Sequence, residues 1–183
     1  MPLSFDGAGT ITGLQVGGLP DGTIDSDTLA TDAVTVPKIG YNGAILQVVS
    51  ATTSTQVTNT TASYADTGLT DSITPVAAGS SILVLTSLGF FITRASDNEG
   101  VRFQLVRGST VIFGADAADN YANIGGASRV DMQGRNSMAY LDTPTYTLGD
   151  AITYKVQFKP NSSEARAQSG GANSSIVLLE VAG

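Results

Sequence analysis

The sequence predicts an all-β protein, with a β-sandwich of jelly-roll type carried behind a short extended N-terminal arm. Three observations predict it. Charged residues make up only 14% of the 183, well under the roughly 25% of an average domain. Gly, Ser, Thr, Ala and Val fill the gap, which is the composition of short strands and tight turns. Strand-like runs recur from residue 44 onward at near-even spacing with turn residues between, and no window of 11 or more residues has a helical apolar period.

The runs can be taken in order. AILQVVSA (44–51), STQVTN (54–59), ASYADTGL (62–69) and DSITPV (71–76) come first. SILVLTSLGFFI (81–92) is apolar enough for one or two buried strands but too short to cross a membrane, which takes ~20 residues. VRFQLVRGSTVIFG (101–114) reads as a hairpin: Val101, Phe103 and Leu105 alternate with Arg102 and Gln104, and Arg107 to Thr110 turns the chain. SMAYLDTP (137–144), DAITYKVQFKP (150–160) and SSIVLLEVAG (174–183) complete the set. In the second of these, Ile152, Tyr154, Val156 and Phe158 share one face, so Tyr154 is expected in the core. Residues 94–100, 116–130 and 161–175 read as loops, and long loops at a sandwich end are common binding surfaces.

Composition excludes several functions. The net charge is −7, and residues 1–37 hold Asp6, Asp21, Asp25, Asp27 and Asp32 with no Lys or Arg. A chain without a basic cluster lacks the footprint for nucleic-acid phosphates or an anionic membrane. There is no Cys and no His, which removes disulfides, thiolate sites, the usual triads and the commonest zinc ligand. The opening MPLSFDGAGTITGL has neither the basic start nor the apolar run of a secretory leader. Carboxylates are the remaining acid-base groups. Asp97, Asn98 and Glu99, and Asp116 to Asn120, offer oxygens that suit Ca²⁺, but no EF-hand spacing is present and solvated turns are the better reading. Paired carboxylates for glycoside hydrolysis cannot be matched from sequence. No catalytic residue, metal or cofactor is assigned.

The first 40 residues differ from the rest, and Asn42-Gly43 is a strong turn signal between them. Residues 22–41, GTIDSDTLATDAVTVPKIGY, place one aliphatic side chain every five positions: Ile24, Leu29, Val34 and Ile39. Five is the period of neither a helix nor a strand. A square β-helix would need several turns, and four blocks make one. Burial between copies of the chain is the reading preferred over an unstructured linker.

That segment meets a resemblance. GTIDSDTLATDAVTVPKIGYNGAILQVV is similar to segments of tail-fibre and related virion proteins of bacteriophages, marine and cyanobacterial ones in particular. TGLTDSITPVAAGSSILVLTSLGFF and VRFQLVRGSTVIFG resemble the strands and hairpin of the family's C-terminal head. The resemblance covers most of the chain, and its motifs are short. It implies a homotrimer without enzymatic activity on a virion tail or baseplate, or on the capsid surface. Residues 1–20 would attach to other virion proteins, 21–42 would form a trimeric stalk with Ile24, Leu29, Val34 and Ile39 as its core, and 43–183 would form the head. The expected function is attachment to a host-surface glycan or protein, with no nucleic acid and no membrane insertion. Arg94, Asn98, Tyr121, Asn123 and Arg166 are candidate contacts by type and loop position. The alternatives are a capsid decoration or head-fibre protein that stabilises the shell without binding a receptor, and a small polysaccharide-degrading domain. The stalk is short for a long tail fibre, which leaves the place on the particle open.

Overall fold

A computed structural model describes residues 4–5, 11–12, 42–94, 99–114, 120–122, 130–161 and 164–183. The chain divides into two compact units, Met1–Gly40 and Tyr41–Gly183. In the first unit β1 (Ser4–Phe5) pairs antiparallel with β2 (Ile11–Thr12). The expected stalk residues Ile24, Leu29, Val34 and Ile39 lie outside the described residues.

The second unit is the sandwich. Its eight principal strands are β3 (Ile45–Thr53), β5 (Ala65–Ile73), β6 (Ser81–Arg94), β7 (Glu99–Arg107), β8 (Thr110–Phe113), β10 (Val130–Asp142), β11 (Ile152–Pro160) and β13 (Ser174–Val181). They pair in nested fashion: first with last (β3·β13), second with second-last (β5·β11), third with third-last (β6·β10), and the middle two as a hairpin (β7·β8). Two further ladders, β13·β6 and β11·β7, gather them into sheets ordered β3-β13-β6-β10 and β5-β11-β7-β8. This is a jelly roll, as the strand spacing predicts. Three short strands decorate it: β4 (Val57–Asn59), β9 (Asn120–Ala122) and β12 (Glu164–Ala167). β12 bridges β6 and β4, and β9 lies along the start of β7.

Local chemistry explains most elements. β11 alternates strictly between buried and wetter positions. Its Tyr154, Val156 and Phe158 face Ile82, Val84, Leu88, Ile176 and Leu178 of the other sheet in one continuous core. Phe90 and Phe103 meet across the sheets with ring centroids 5.7 Å apart and tilted by 56°, a favoured aromatic geometry. The β7–β8 turn uses Gly108 at φ 57, the conformation that glycine adopts without strain. Opposite Phe90 in the register stands Gly134. A Cβ there would lie 2.7 Å from the Phe90 ring, so the ring takes the place of the missing side chain.

Some elements differ from the sequence reading. Residues 62–69 and 71–76 join into one strand, β5, across Gly68 at φ 79, where the register against β11 shifts. β10 starts at Val130, seven residues before the apolar run that predicts it. Thirteen consecutive partners on β6 hold the polar stretch extended, so pairing overrides propensity. The expected loop at 161–175 contains β12, and that at 116–130 contains β9.

Two buried carboxylates tie the sheets together near the point where the chain enters the sandwich. Asp142 on β10 accepts three bonds of 2.7 Å, two from Arg107 on β7 and one from the Tyr154 hydroxyl on β11. Burial and the adjacent Asp142 push the Tyr154 phenol far up, so it stays a neutral donor. Glu180 on β13, fully buried, accepts from the Val76 and Ala77 amides at 2.9 to 3.1 Å and from the Gln47 side chain at 2.6 Å. Burial works to raise its pKa, but these donors together outweigh it and hold the carboxyl below its ordinary 4.5.

Replacing Asp142 with Asn leaves the Arg107 cation without a counter-charge. The Arg107 side chain keeps 30% exposure, so the expected loss is about 2–3 kcal/mol, below the ~3–5 kcal/mol of a fully buried pair. Urea unfolding at neutral pH checks it, as a lower midpoint with unchanged slope. Glu180 contributes stability that is present above its unfolded value and is lost as pH falls through its lower folded value. Glu180→Gln is therefore expected to destabilise at pH 7 by about 1–3 kcal/mol and to flatten the loss below pH 4.5. An acid-unfolding profile as steep as that of the parent chain would contradict it.

Candidate functional surface

The sandwich has two unlike ends. β6 runs from Ser81 to Arg94, and fourteen extended residues span roughly 40 Å. At its start, Val181 pairs with both Ser81 and Ile45, and Gly43 and Ala182 bond backbone to backbone. The chain thus both enters and leaves the unit at this proximal end. At the far end of β6, Arg94 stands opposite Val130 and Thr93 opposite Glu164. Val101 faces Pro160 and Asn120, Gly100 faces Tyr121, and the Asn161 amide bonds to the Gly100 carbonyl at 2.8 Å. All three segments expected as contact loops therefore begin or end on one distal surface.

The expected contact residues sort as follows. The backbone of Arg94 and of Tyr121 lies in that distal register. Asn98 and Asn123 lie outside the described residues, as do the Ca²⁺ candidates Asp97 and Asp116 to Asp119. Arg166 lies on a strand, β12, rather than in a loop. Its Nε bonds to Glu164 at 2.6 Å, and its guanidinium lies over the Phe91 ring at 5.3 Å. These contacts orient the group and leave its side chain 36% exposed.

Other distal groups escape sequence reasoning because their partners are remote in the chain. Lys159 sits over the half-buried Tyr64 ring at 4.5 Å. Arg102 donates to the Asn161 side chain at 3.0 Å. Behind them two buried amides brace the surface. The Asn59 side chain donates to the Ser63 and Phe158 carbonyls at 2.9 Å and accepts from the Thr61 amide and hydroxyl at 2.9 Å. Asn59-Thr60-Thr61 matches the Asn-x-Ser/Thr glycosylation pattern, but both ends of the Asn59 amide are used and it is buried, so it is not presented to solvent. Gln168, fully buried at φ 52, is the one described non-glycine with positive φ. Turned to satisfy both of its ends, its amide donates to the Ala167, Thr55 and Thr67 carbonyls and accepts from the Ser174 hydroxyl. It pins the turn after β12 to β5.

The distal surface offers cation-backed aromatic rings, amides and the Arg166–Glu164 pair, groups that can hydrogen-bond and stack. Among the described residues there is no group of three His, Cys, Asp or Glu side chains that could hold a metal ion.

No protein-family model matches the chain, and no curated protein matches it. Among solved structures, a chain in the structure of the infectious bursal disease virus Gx strain aligns over 76% of this chain at 17% identity, with a TM-score of 0.23. A chain of T=1 particles derived from infectious bursal virus aligns over 76% at 19% identity, with a TM-score of 0.24. In both cases the alignment spans 37% of the other chain. Superpositions this loose carry no functional inference, and the fold assignment rests on the strand order itself.

Asn59→Ala removes the brace while leaving the distal rim in place. The expected cost is about 1–3 kcal/mol, since two backbone carbonyls and the Thr61 amide lose their partner. Hydrogen exchange checks it, through faster exchange in residues 59–65 than in β6 and β10.

Proposed function

We propose that the chain is a structural virion protein, a phage tail fibre that attaches to the host surface through the distal end of a trimeric jelly-roll head. The observation that carries the reading is the separation of the two ends. The point at Gly43 where the chain enters the sandwich and the candidate contact surface lie roughly 40 Å apart along β6, a layout that suits a presented adhesion module. The resemblance of residues 22–49 to phage stalk segments supports the tether's role. In this reading residues 1–20 hold the chain to other virion proteins, and Ile24, Leu29, Val34 and Ile39 bring three copies together. Three heads on one stalk turn weak glycan contacts into firm attachment through effective concentration. No bond is made or broken, and no cofactor takes part.

The test uses the full chain. Light scattering is expected to give three times the mass of one chain. Purified chain is expected to compete with particles for host cells, and the triple substitution Arg94→Ala, Tyr121→Ala, Arg166→Ala to weaken that competition by about tenfold or more, since each lost contact counts three times. Gold-labelled antibody is expected at the tail end of the particle. Label spread over the shell, with attachment undisturbed by saturating chain, would overturn the reading in favour of a decoration protein.

A further inference from the structure

The two outer faces of the sandwich differ in chemistry, although β8 also exposes an apolar residue, Val111. On the β5-β11-β7 sheet the outward side chains form a wet network. Lys155 and Gln157 bond to Asp66 at 3.0 and 2.6 Å, Gln104 bonds to Gln157 at 2.7 Å, and Ser72 meets Thr153 at 2.7 Å. On the other sheet the outward positions of the four principal strands form straight rows. Val48, Leu179, Leu83 and Leu141 stand side by side across β3, β13, β6 and β10. In the next row Val177 and Leu85 lie between Ser50 and Ala139, and the row after that is Thr52, Ser175, Ser87 and Ser137. Val48 is 55% exposed, Leu141 52% and Leu85 37%. Three rows on four strands therefore hold six branched aliphatic side chains, Ala139 and no charged residue. The first charge beyond them is Arg135, which is turned to Ser87 and the Asn173 carbonyl.

The geometry points to a second copy of this chain as the occupant of this face: the heads pack against one another through the proximal rows of the β3-β13-β6-β10 sheet. The inference rests on the homo-oligomer reading above and goes beyond it by naming the surface. Three observations select this occupant. The aliphatic rows are confined to the proximal end, within a few residues of Gly43. A join between copies just ahead of Gly43 would keep these rows within reach of their counterparts. Identical chains of net charge −7 approach one another at least cost through an uncharged face, and this face is uncharged where the opposite one is not. The size also fits a tethered copy. Four strands by three rows measure roughly 20 Å by 20 Å, about 400 Å², near half of the ~800 Å² that each partner buries in a standard interface. Such a patch is too small to hold a free partner firmly and large enough to matter once the copies share a tether.

The test uses full-length chain. Because the chain has no cysteine, a single introduced one reports its own neighbours. Val48→Cys is expected to join copies through a short bismaleimide, and Ser72→Cys, outward on the opposite sheet, is expected not to. Val48→Lys and Leu141→Lys replace side chains that are already half exposed. They are expected to leave the melting transition near that of the parent and to raise the concentration at which the oligomer dissociates by about tenfold or more, since lysine is disfavoured at interface centres. If either lysine variant misfolds, the cross-linking decides alone. An oligomer that persists unchanged in both lysine variants, with Val48→Cys unlinked, overturns the face and leaves the oligomer reading intact. Links through Val48→Cys in an assembly of two establish the face and overturn the trimer. A full chain that is monomeric at every concentration overturns both.

Discussion

β6 is the constraint on which the rest of the structure depends. Both of its edges are occupied for nearly its whole length. β10 runs along one edge from Ile82 to Arg94, while β13 takes the first half of the other edge and β12 the second. A strand bonded on both sides leaves no backbone donor or acceptor to bury unpaired, which lets its inward residues Ile82, Val84, Leu88, Phe90 and Ile92 sit in the dry core. Its length also sets the length of the sandwich. The shorter strands β13 and β12 must share one edge, and the point where they meet, near Gly89, is where the chain leaves regular pairing. Gly89 supplies its carbonyl to the Gln168 amide and its own amide to the Ser174 hydroxyl. A Cβ at Gly89 would lie 3.0 Å from that of Ala172, so a small residue is needed where the two partners change over.

The two ends of β6 are secured by different chemistry. At the proximal end charge is buried and paired. Asp142 is held by Arg107 and Tyr154, and Glu180 by backbone amides and Gln47, each joining elements that are distant in sequence. At the distal end the buried amides Asn59 and Gln168 are neutral, and among the described residues Arg102, Lys159, Glu164 and Arg166 bring charge to the rim. Removing one partner of a buried ion pair strands the other charge, so Arg107 and Asp142 must be kept together. Neutral amides tolerate variation in the loops that they brace, since no charge is stranded when a neighbour changes.

The fold was legible wherever one side chain's environment follows from its near neighbours in sequence. The alternation of β11 and the turn at Gly108 are local facts, and Tyr154 was placed in the core from its strand face alone. What could not be read depends on register. Val130 to Gln133 look like loop until thirteen partners on β6 hold them extended, and β12 exists because β6 offers an edge beyond the end of β13. Arg107 and Asp142 are 35 residues apart with nothing local to pair them. The candidate surface divides in the same way. Arg166 is a candidate by type, but its seat over Phe91 and its bond to Glu164 follow from β12, a strand that nothing local in the sequence predicts. That three separate loops share one end is a property of the nested pairing alone.

That nesting also explains why the outward aliphatic rows went unseen. Leu83 and Leu85 belong to a run that is apolar on both faces, which reads as a strand buried on both sides. The jelly roll covers one face of β6 with the second sheet, and the described residues place no third layer over the other. Leu85 remains 37% exposed between half-exposed neighbours. The sequence pattern suits a strand with two covered faces, and among the described residues one copy supplies one cover. A single chain resolves that mismatch only by leaving apolar surface in water, at a cost that grows with its area. The proposed association of copies would resolve it without altering a strand, placing the remaining hydrophobic force of β6 between heads rather than within one.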